Sequence, residues 1–410
     1  MDKITSQVKN QYNKYPYPPI NIGNTIENNV NYVTNYEFVN YICTRNYKTS
    51  KNIKILDAGC GTGFSTIGLI RQNPNAEIYA VDISKVTLKI AEERIEKAGL
   101  LSEKIKFVHM DLMEFSLDIQ FDYIICSGVL HHLSSPEVGL GNLKKLLKPN
   151  GIIYLMVYSE NARRWMLSLK KLILQLQNNK EDFEEGILIG KEILKILSPN
   201  NSISINYSAS YNHASNFIGE EFAKSEAQFV DCFLNANERT YSIKEIFDLL
   251  ESEKLSFLRF FDEYDRTAES LFIKNEFLIN NAAKLSKKEQ YFLSETILEQ
   301  RNFGFFVSKN KLKKQNINKE ILLTGEVLLS SLNKEKATKK GLKLISPVKT
   351  TIEIVKEDAL EFYKMLKNHT SVKEIIKSYA EKYNISFENG KEICLDYLIF
   401  MEQNNMLFFC

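Results

Sequence analysis

The run Ile55-Leu56-Asp57-Ala58-Gly59-Cys60-Gly61-Thr62-Gly63 constrains this chain more than any other stretch. An apolar strand meets an acidic residue, then glycines at every second position, then a helix. A glycine has no Cβ, so it permits positive φ and lets a ligand press against bare backbone. A loop of this kind is a floor for an adenosine-bearing cofactor. The nicotinamide fingerprint G-x-G-x-x-G puts its third glycine inside the helix, for close packing on the strand. Here Gly63 comes one position early, and Phe64 stands where that glycine would be. Asp57 is out of place beside a pyrophosphate and suits a cofactor with an amino group and a sulfonium charge. The spacing therefore favours S-adenosylmethionine over a dinucleotide.

Around this loop, strands alternate with helices. Lys54-Ile55-Leu56 reads as a buried strand and Ser65 to Arg71 as the helix after it. Glu77 to Val81 is a second strand ending at Asp82, where an acid can accept two hydrogen bonds from the vicinal hydroxyls of a ribose. Lys85 to Ala98 has helical periodicity and Gly99 supplies a stop. Ile105 to Val108, before Asp111, is a third strand, Phe121 to Cys126 a fourth and Ile152 to Val157 a fifth, with a helix over Pro136 to Leu147. This alternation predicts a parallel sheet with helices on both faces. Ligands of such sheets lie beyond the carboxyl ends of the strands, at the switch point. Asp57, Asp82, Asp111 and Cys126-Ser127 all fall at carboxyl ends, so they converge on one crevice.

On these motifs, residues 1 to about 160 resemble the class I S-adenosylmethionine-dependent methyltransferases. The resemblance implies an α/β fold, a Rossmann-like seven-stranded core, with S-adenosylmethionine as cofactor and S-adenosylhomocysteine as product. Asp57, Ala58, Gly59, Cys60, Gly61, Thr62 and Gly63 are similar to the family's cofactor loop. Asp82, followed by Ile83, matches its ribose-binding acid. Asp111 matches the acid that meets the adenine amino group, with Leu112 beside the ring. The segment Ser127-Gly128-Val129-Leu130-His131-His132-Leu133 looks like the one under the methionine end of the cofactor.

A methyltransferase of this type needs two more strands. Lys254 to Phe261 is the candidate sixth, after the amphipathic helix Ile243 to Leu250, and Phe303 to Ser308 the candidate seventh. The expected division is therefore an N-terminal arm and lid over 1–50, a cofactor-binding core over 51–160, an insertion over 161–240, completion of the sheet over 241–310, a linker over 311–340, and a small helical or winged-helix-like domain over 341–410. The insertion, mainly helical, has a long helix from Arg163 to Leu176 and a polar, Ser- and Asn-rich loop from Asn200 to Asn216. It lies over the crevice, as a lid, a substrate wall or the contact of a homodimer. Asp231-x-Phe233, Asn237-x-Arg239 and Tyr241, just before the core resumes, are similar to the family in a D-x-F…R-x-Y-S pattern that reads equally as structural or substrate-binding.

Gln11-Tyr12-Asn13-Lys14-Tyr15-Pro16-Tyr17-Pro18-Pro19 alternates rings with prolines. Proline fixes φ and pushes the preceding residue to extended geometry, which predicts a stiff, non-helical arm after a helical Thr5 to Asn10. A related arm precedes the cofactor loop in the family. Electron-rich rings favour a cation, by up to about 2 kcal/mol when desolvated, so the arm can close over a sulfonium. Methyl transfer is an in-line displacement in which alignment and water exclusion do most of the work. Tyr12, Tyr15, Tyr17 and His131 are accordingly the candidate positioning residues of the catalytic end. Adjacent histidines at the start of a helix are expected to point apart, and no H-x-x-x-H or cysteine partner is near, so no metal is expected.

Charge excludes one class of partner. Lys+Arg of 53 against Asp+Glu of 51 leaves little to neutralise phosphates, so nucleic acid is not expected. The lysines between Lys309 and Lys343 read as a solvated linker. Six scattered cysteines without a C-x-x-C pair fit free thiols in the cytoplasm. No secretion leader and no apolar run of membrane-spanning length are seen, so no membrane insertion is expected. The extra C-terminal module and the insertion favour a large acceptor. The layout is similar to that of the bacterial protein lysine methyltransferases that modify outer-membrane proteins, which implies a protein or peptide substrate and a side-chain nitrogen as acceptor. The alternatives are a small-molecule or natural-product methyltransferase, an RNA methyltransferase, opposed by the charge, and a non-catalytic S-adenosylmethionine-binding protein.

Overall fold

The computed structural model describes residues 1–22, 32–114, 116–315, 326–330, 333–338, 341–346, 351–368 and 370–409. The chain divides into two compact units. The first takes the described parts of Met1–Ile26 with Asn52–Arg71 and Asn75–Lys311, and the second those of Glu27–Lys51, Gln72–Pro74 and Leu312–Cys410.

In the first unit, β1 (Lys54–Ala58), β2 (Glu77–Asp82), β3 (Ile105–His109), β4 (Phe121–Ser127), β5 (Leu147–Tyr158), β6 (Ser256–Phe260) and β7 (Asn302–Ser308) form one sheet in the order β3-β2-β1-β4-β5-β7-β6. β7 runs antiparallel to both β5 and β6, and the other pairings are parallel. Central parallel strands covered on both faces read as continuous apolar runs. In β4 the run from Tyr123 to Cys126 is apolar and buried throughout. The strand order reverses between β1 and β4, which opens a crevice beyond their carboxyl ends. Both late strands lie where the sequence pattern puts them. The helix Ile243–Ser252, before β6, starts with a capping box in which Ser242 and Glu245 satisfy each other's backbone N–H.

The insertion between β5 and β6 is helical, with its own core of Met166, Leu169, Ile173, Ile187, Phe229 and Phe233. Its first helix runs Glu160–Leu176. The stretch Asn200–Asn216 is a correction: it is the helix Ser202–Phe217, capped by the Asn201 side chain. Serine and asparagine are weak helix formers, and packing overrides that preference here, because Ile203 is buried and Tyr207 meets Phe233. The N-terminal arm also differs from expectation. The helix Lys3–Lys14 carries Tyr12, and only Tyr15 onward leaves helical geometry, where the prolines begin.

In the second unit, β8 (Val327–Leu329) pairs with β12 (Leu407–Phe409), and β9 (Lys334–Thr338), β10 (Gly341–Ile345) and β11 (Thr351–Ile354) form an antiparallel sheet. Helices Glu357–Asn368, Val372–Tyr383 and Phe387–Gln403 pack around Phe362, Ile375, Leu395 and Leu398. β8 and β9 lie in the range expected to be a linker; β8 finds its partner far along the chain, at β12, and β9 pairs with the next strand, β10. Residues 316–325, 331–332 and 339–340 of that range lie outside the described residues. The helix Tyr36–Thr44, expected as part of an arm, belongs to this unit. Tyr41 Oη accepts from the Phe409 backbone N–H at 3.2 Å, and Arg45 pairs with Glu402 at 3.0 Å. Among the described residues, no helix is long and apolar enough to cross a membrane.

Candidate active site

A cavity of about 350 Å³ lies beyond the carboxyl ends of β1 to β5 in the first unit. Its wall follows the strand order. β3 ends near Asp111 and Leu112, β2 at Asp82 and Ile83, β1 at Gly59, Cys60 and Gly61, and β4 at Ser127 and Gly128. Met156 and Tyr158 of β5 and Asn302 of β7 continue it. Tyr12, Tyr17, His132 and Asp231 also line the cavity.

The loop's glycines have separate causes. Gly59, Gly61 and Gly63 have φ of 80°, 54° and 83°, the left-handed region that favours glycine. A Cβ on Gly61 would sit 2.5 Å from the Tyr17 carbonyl oxygen, so this position lets the arm come down on the loop. Thr62 holds it there. Its backbone N–H donates to Tyr17 O at 3.0 Å and its hydroxyl to Pro18 O at 2.8 Å. Gly63 lies against the helix Lys85–Lys97, where a Cβ would meet Ala91 at 2.9 Å.

These contacts sort the expected cofactor residues. Gly59, Cys60, Gly61, Asp82, Ile83, Asp111, Leu112, Ser127 and Gly128 line the cavity. Asp57, Ala58, Thr62 and Gly63 stand behind that wall and shape it. Asp57 is buried, and one carboxylate oxygen accepts from Ser65 Oγ and Thr66 Oγ1, both at 2.7 Å. It thus ties β1 to the start of the following helix instead of facing a cofactor amine. Burial pushes its carboxyl up to about 6.

The residues present fit S-adenosylmethionine. Asp82 accepts from the Gly61 and Ser84 backbone N–H groups, each at 2.9 Å, which fixes its carboxylate at the ribose position with lone pairs to spare. Asp111 Oδ1 accepts from Met113 N–H at 2.8 Å, while Oδ2 is buried and has no hydrogen-bond partner among the described residues. A buried acceptor without a donor is costly, and an adenine amino group supplies that donor. When bound, S-adenosylmethionine brings a methyl group activated by a positive sulfur.

The far end of the cavity is aromatic. Tyr12 Oη donates to Asp231 Oδ1 at 3.1 Å, Tyr158 Oη reaches Oδ2 at 3.4 Å, and Tyr17 Oη donates to Gln228 Oε1 at 3.1 Å. Burial raises all three phenols well above their ordinary value, so they stay neutral donors. Tyr15 lies outside this wall. It packs in the core of the insertion, edge-on to Phe183 at 5.6 Å. His131 is also absent from the wall. It is fully buried, with its ring centroid 3.7 Å from that of Tyr158. The two histidines do not point apart; in the tight turn Leu130–His132 their ring centroids are 4.2 Å apart. His132 takes the cavity position, with Nδ1 2.7 Å from the Asn237 carbonyl oxygen. Burial lowers the pKa of both rings.

Of the cavity residues, Tyr158 was not selected by motif reading, His132 entered only as part of the Ser127–Leu133 segment, and Asp231 was left between a structural and a substrate-binding role. Tyr158 carried a signal, since it closes β5 just as Ser127 closes β4. Asp231 carried a weaker one, the D-x-F pattern, because its helix, Glu226–Phe233, belongs to the insertion and closes no strand of the sheet.

Comparison with known proteins agrees with this geometry. A family model described as a methyltransferase domain matches residues 49–233. An uncharacterized protein of Synechococcus sp. is 33% identical over 314 residues, 76% of this chain and 73% of that protein. The mitochondrial ubiquinone biosynthesis O-methyltransferase of Schizosaccharomyces pombe is 30% identical over 125 residues, 30% of this chain and 45% of that enzyme. The structure of PKMT2 from Rickettsia typhi in complex with AdoHcy is similar in fold, with a TM-score of 0.63 at 14% identity over 96% of this chain and 77% of that one.

Proposed function

The chain belongs to the class I S-adenosylmethionine-dependent methyltransferases, and from that premise we propose that it methylates a side-chain nitrogen of a protein or peptide, such as lysine. The observation that carries this reading is the far wall of the cavity. Tyr12, Tyr17 and Tyr158 line it with neutral phenols, which supports an amine as the acceptor. Phenol faces and oxygens receive an amine from either side of its protonation, by ring quadrupole or by hydrogen bond. Burial also favours the uncharged amine, which has the lone pair that attack requires. The fold shared with PKMT2 from Rickettsia typhi extends over nearly the whole chain, insertion and C-terminal unit included, and supports a macromolecular acceptor.

Incubation of the purified protein with radiolabelled S-adenosylmethionine and a bacterial lysate tests this. Label is expected in the polypeptide fraction and, after hydrolysis, in methylated lysine. Label confined to the small-molecule extract would overturn the reading in favour of a small-molecule methyltransferase.

A further inference from the structure

Asp231 is a buried anion that lines the cavity and pairs with no cation among the described residues. Its relative exposure is 4%. Its hydrogen-bond partners are neutral: Tyr12 Oη at 3.1 Å, Tyr158 Oη at 3.4 Å and Asn235 Nδ2 at 3.5 Å. Arg163, packed over the Tyr158 ring at 3.7 Å, is committed to Glu238 through Nε at 2.7 Å and Nη2 at 2.8 Å. His132 is kept neutral by burial. A carboxylate removed from water is stable only when charge and hydrogen bonds answer it. Here the phenols answer part of the demand, and a carboxylate that accepts three hydrogen bonds keeps acceptor capacity where it lines the cavity.

We propose that Asp231 is the catalytic carboxylate that anchors the acceptor's ammonium group and takes its proton, with Tyr12 and Tyr158 orienting the carboxylate. This rests on the amine-acceptor reading above. One proton passes from the ammonium nitrogen to an Asp231 oxygen. The freed lone pair then forms the nitrogen–carbon bond as the carbon–sulfur bond breaks, and that electron pair stays on sulfur. The products are a methylated ammonium, a neutral thioether and a protonated Asp231, so charge and protons balance. Burial moves the Asp231 carboxyl upward, the direction a proton recipient needs.

Calorimetry with two cofactor analogues tests the anchor without turnover. Sinefungin carries an amine in place of the methylated sulfur, whereas S-adenosylhomocysteine carries nothing at the methyl position; both keep the amino-acid end and the nucleoside. The native protein is expected to bind sinefungin more tightly. Asp231→Asn is expected to cut that preference by about tenfold while S-adenosylhomocysteine binds as before. A native protein that prefers S-adenosylhomocysteine overturns the proposal, and needs no folded variant to do so. A preference unchanged in Asp231→Asn overturns it as well, and so does an equal loss of both ligands, which would make Asp231 a partner of the shared amino-acid end. Failure of the amine reading has a different signature, label on small molecules in the lysate experiment.

Discussion

The adenosine end of the cavity comes from three short stretches, Gly59–Gly61, Asp82–Ile83 and Asp111–Leu112, each following its own strand. The acceptor end draws Tyr12 from a helix before the sheet, His132 and Tyr158 from its middle, and Asp231 from the insertion. The first end works by main-chain shape: glycines that leave room, and carboxylates pinned by neighbouring N–H groups. The second works by a buried polar network in which side chains from separate elements hold one another, as Tyr12 and Tyr158 hold Asp231. In a low-dielectric interior such a network is stabilising when complete and costly when one partner is lost. The two ends should therefore fail differently under mutation.

The largest effect is expected on the network side. Arg163 and Glu238 form a two-pronged pair, with side-chain exposures of 6% and 1%. Arg163→Met leaves the Glu238 carboxylate buried and unanswered and removes the cation over the Tyr158 ring. Loss of one partner of such a pair costs about 3–5 kcal/mol. Urea unfolding of the variant should show it as a lower midpoint. A midpoint within experimental error of the native one would mean that the network is not what holds this end.

The matching change at the other end is Gly63→Ala. Its Cβ would press on the Ala91 backbone and side chain, and its φ of 83° is strained for alanine. Overpacking and positive φ together predict a loss of about 2–3 kcal/mol. S-adenosylhomocysteine should still bind once the protein is folded, because Gly63 does not line the cavity. Weakened binding with unchanged stability would place Gly63 in the wall and blur the contrast between shaping and lining residues.

That contrast also separates what was legible in the sequence from what was not. The sheet, its two late strands and the loop and acids that line the cavity were legible because each depends on contiguous residues: an apolar run, a glycine loop, an acid at a strand's end. Asp57 was misplaced by the same logic. Its position beside the loop was correct, but sequence does not tell that Ser65 and Thr66 turn back to claim its carboxylate. Tyr15 and His131 were drawn toward the cavity by their neighbours Tyr17 and His132. One residue of helix or turn decides which ring looks in, and periodicity is too coarse for that. The helix Ser202–Phe217 was hidden because its composition favours a loop and only the packing of Ile203 and Tyr207 makes it a helix.

Asp82→Ala sharpens the adenosine side further. The Asp82 carboxylate is held by Gly61 and Ser84 where it lines the cavity, and acceptor capacity remains on it for the hydroxyls of a ribose. Loss of charge-assisted hydrogen bonds should weaken S-adenosylmethionine binding by about 1–3 kcal/mol. Calorimetry reads this directly. Equal affinity in the variant would remove Asp82 from the site.

The smallest effect at neutral pH belongs to His131, which burial keeps neutral in the folded protein and whose two ring nitrogens have no hydrogen-bond partner. In the unfolded chain the ring takes a proton near the ordinary value of about 6.5. As pH falls below that, the unfolded state binds a proton that the native state refuses, so stability that is full above the ordinary value is lost on acidification. A single site of this kind removes about 1.4 kcal/mol per pH unit until the folded pKa is reached. Asp57 acts in the opposite sense, because its raised carboxyl makes the native state the better proton binder as pH falls through about 6. His131→Leu keeps the apolar contact with Tyr158 and deletes only the first of these slopes. Urea midpoints measured from pH 7 to pH 5 should therefore decline less in the variant than in the native protein. Parallel declines would show that the His131 ring is protonated in the fold, and would return it to the polar network of the acceptor end.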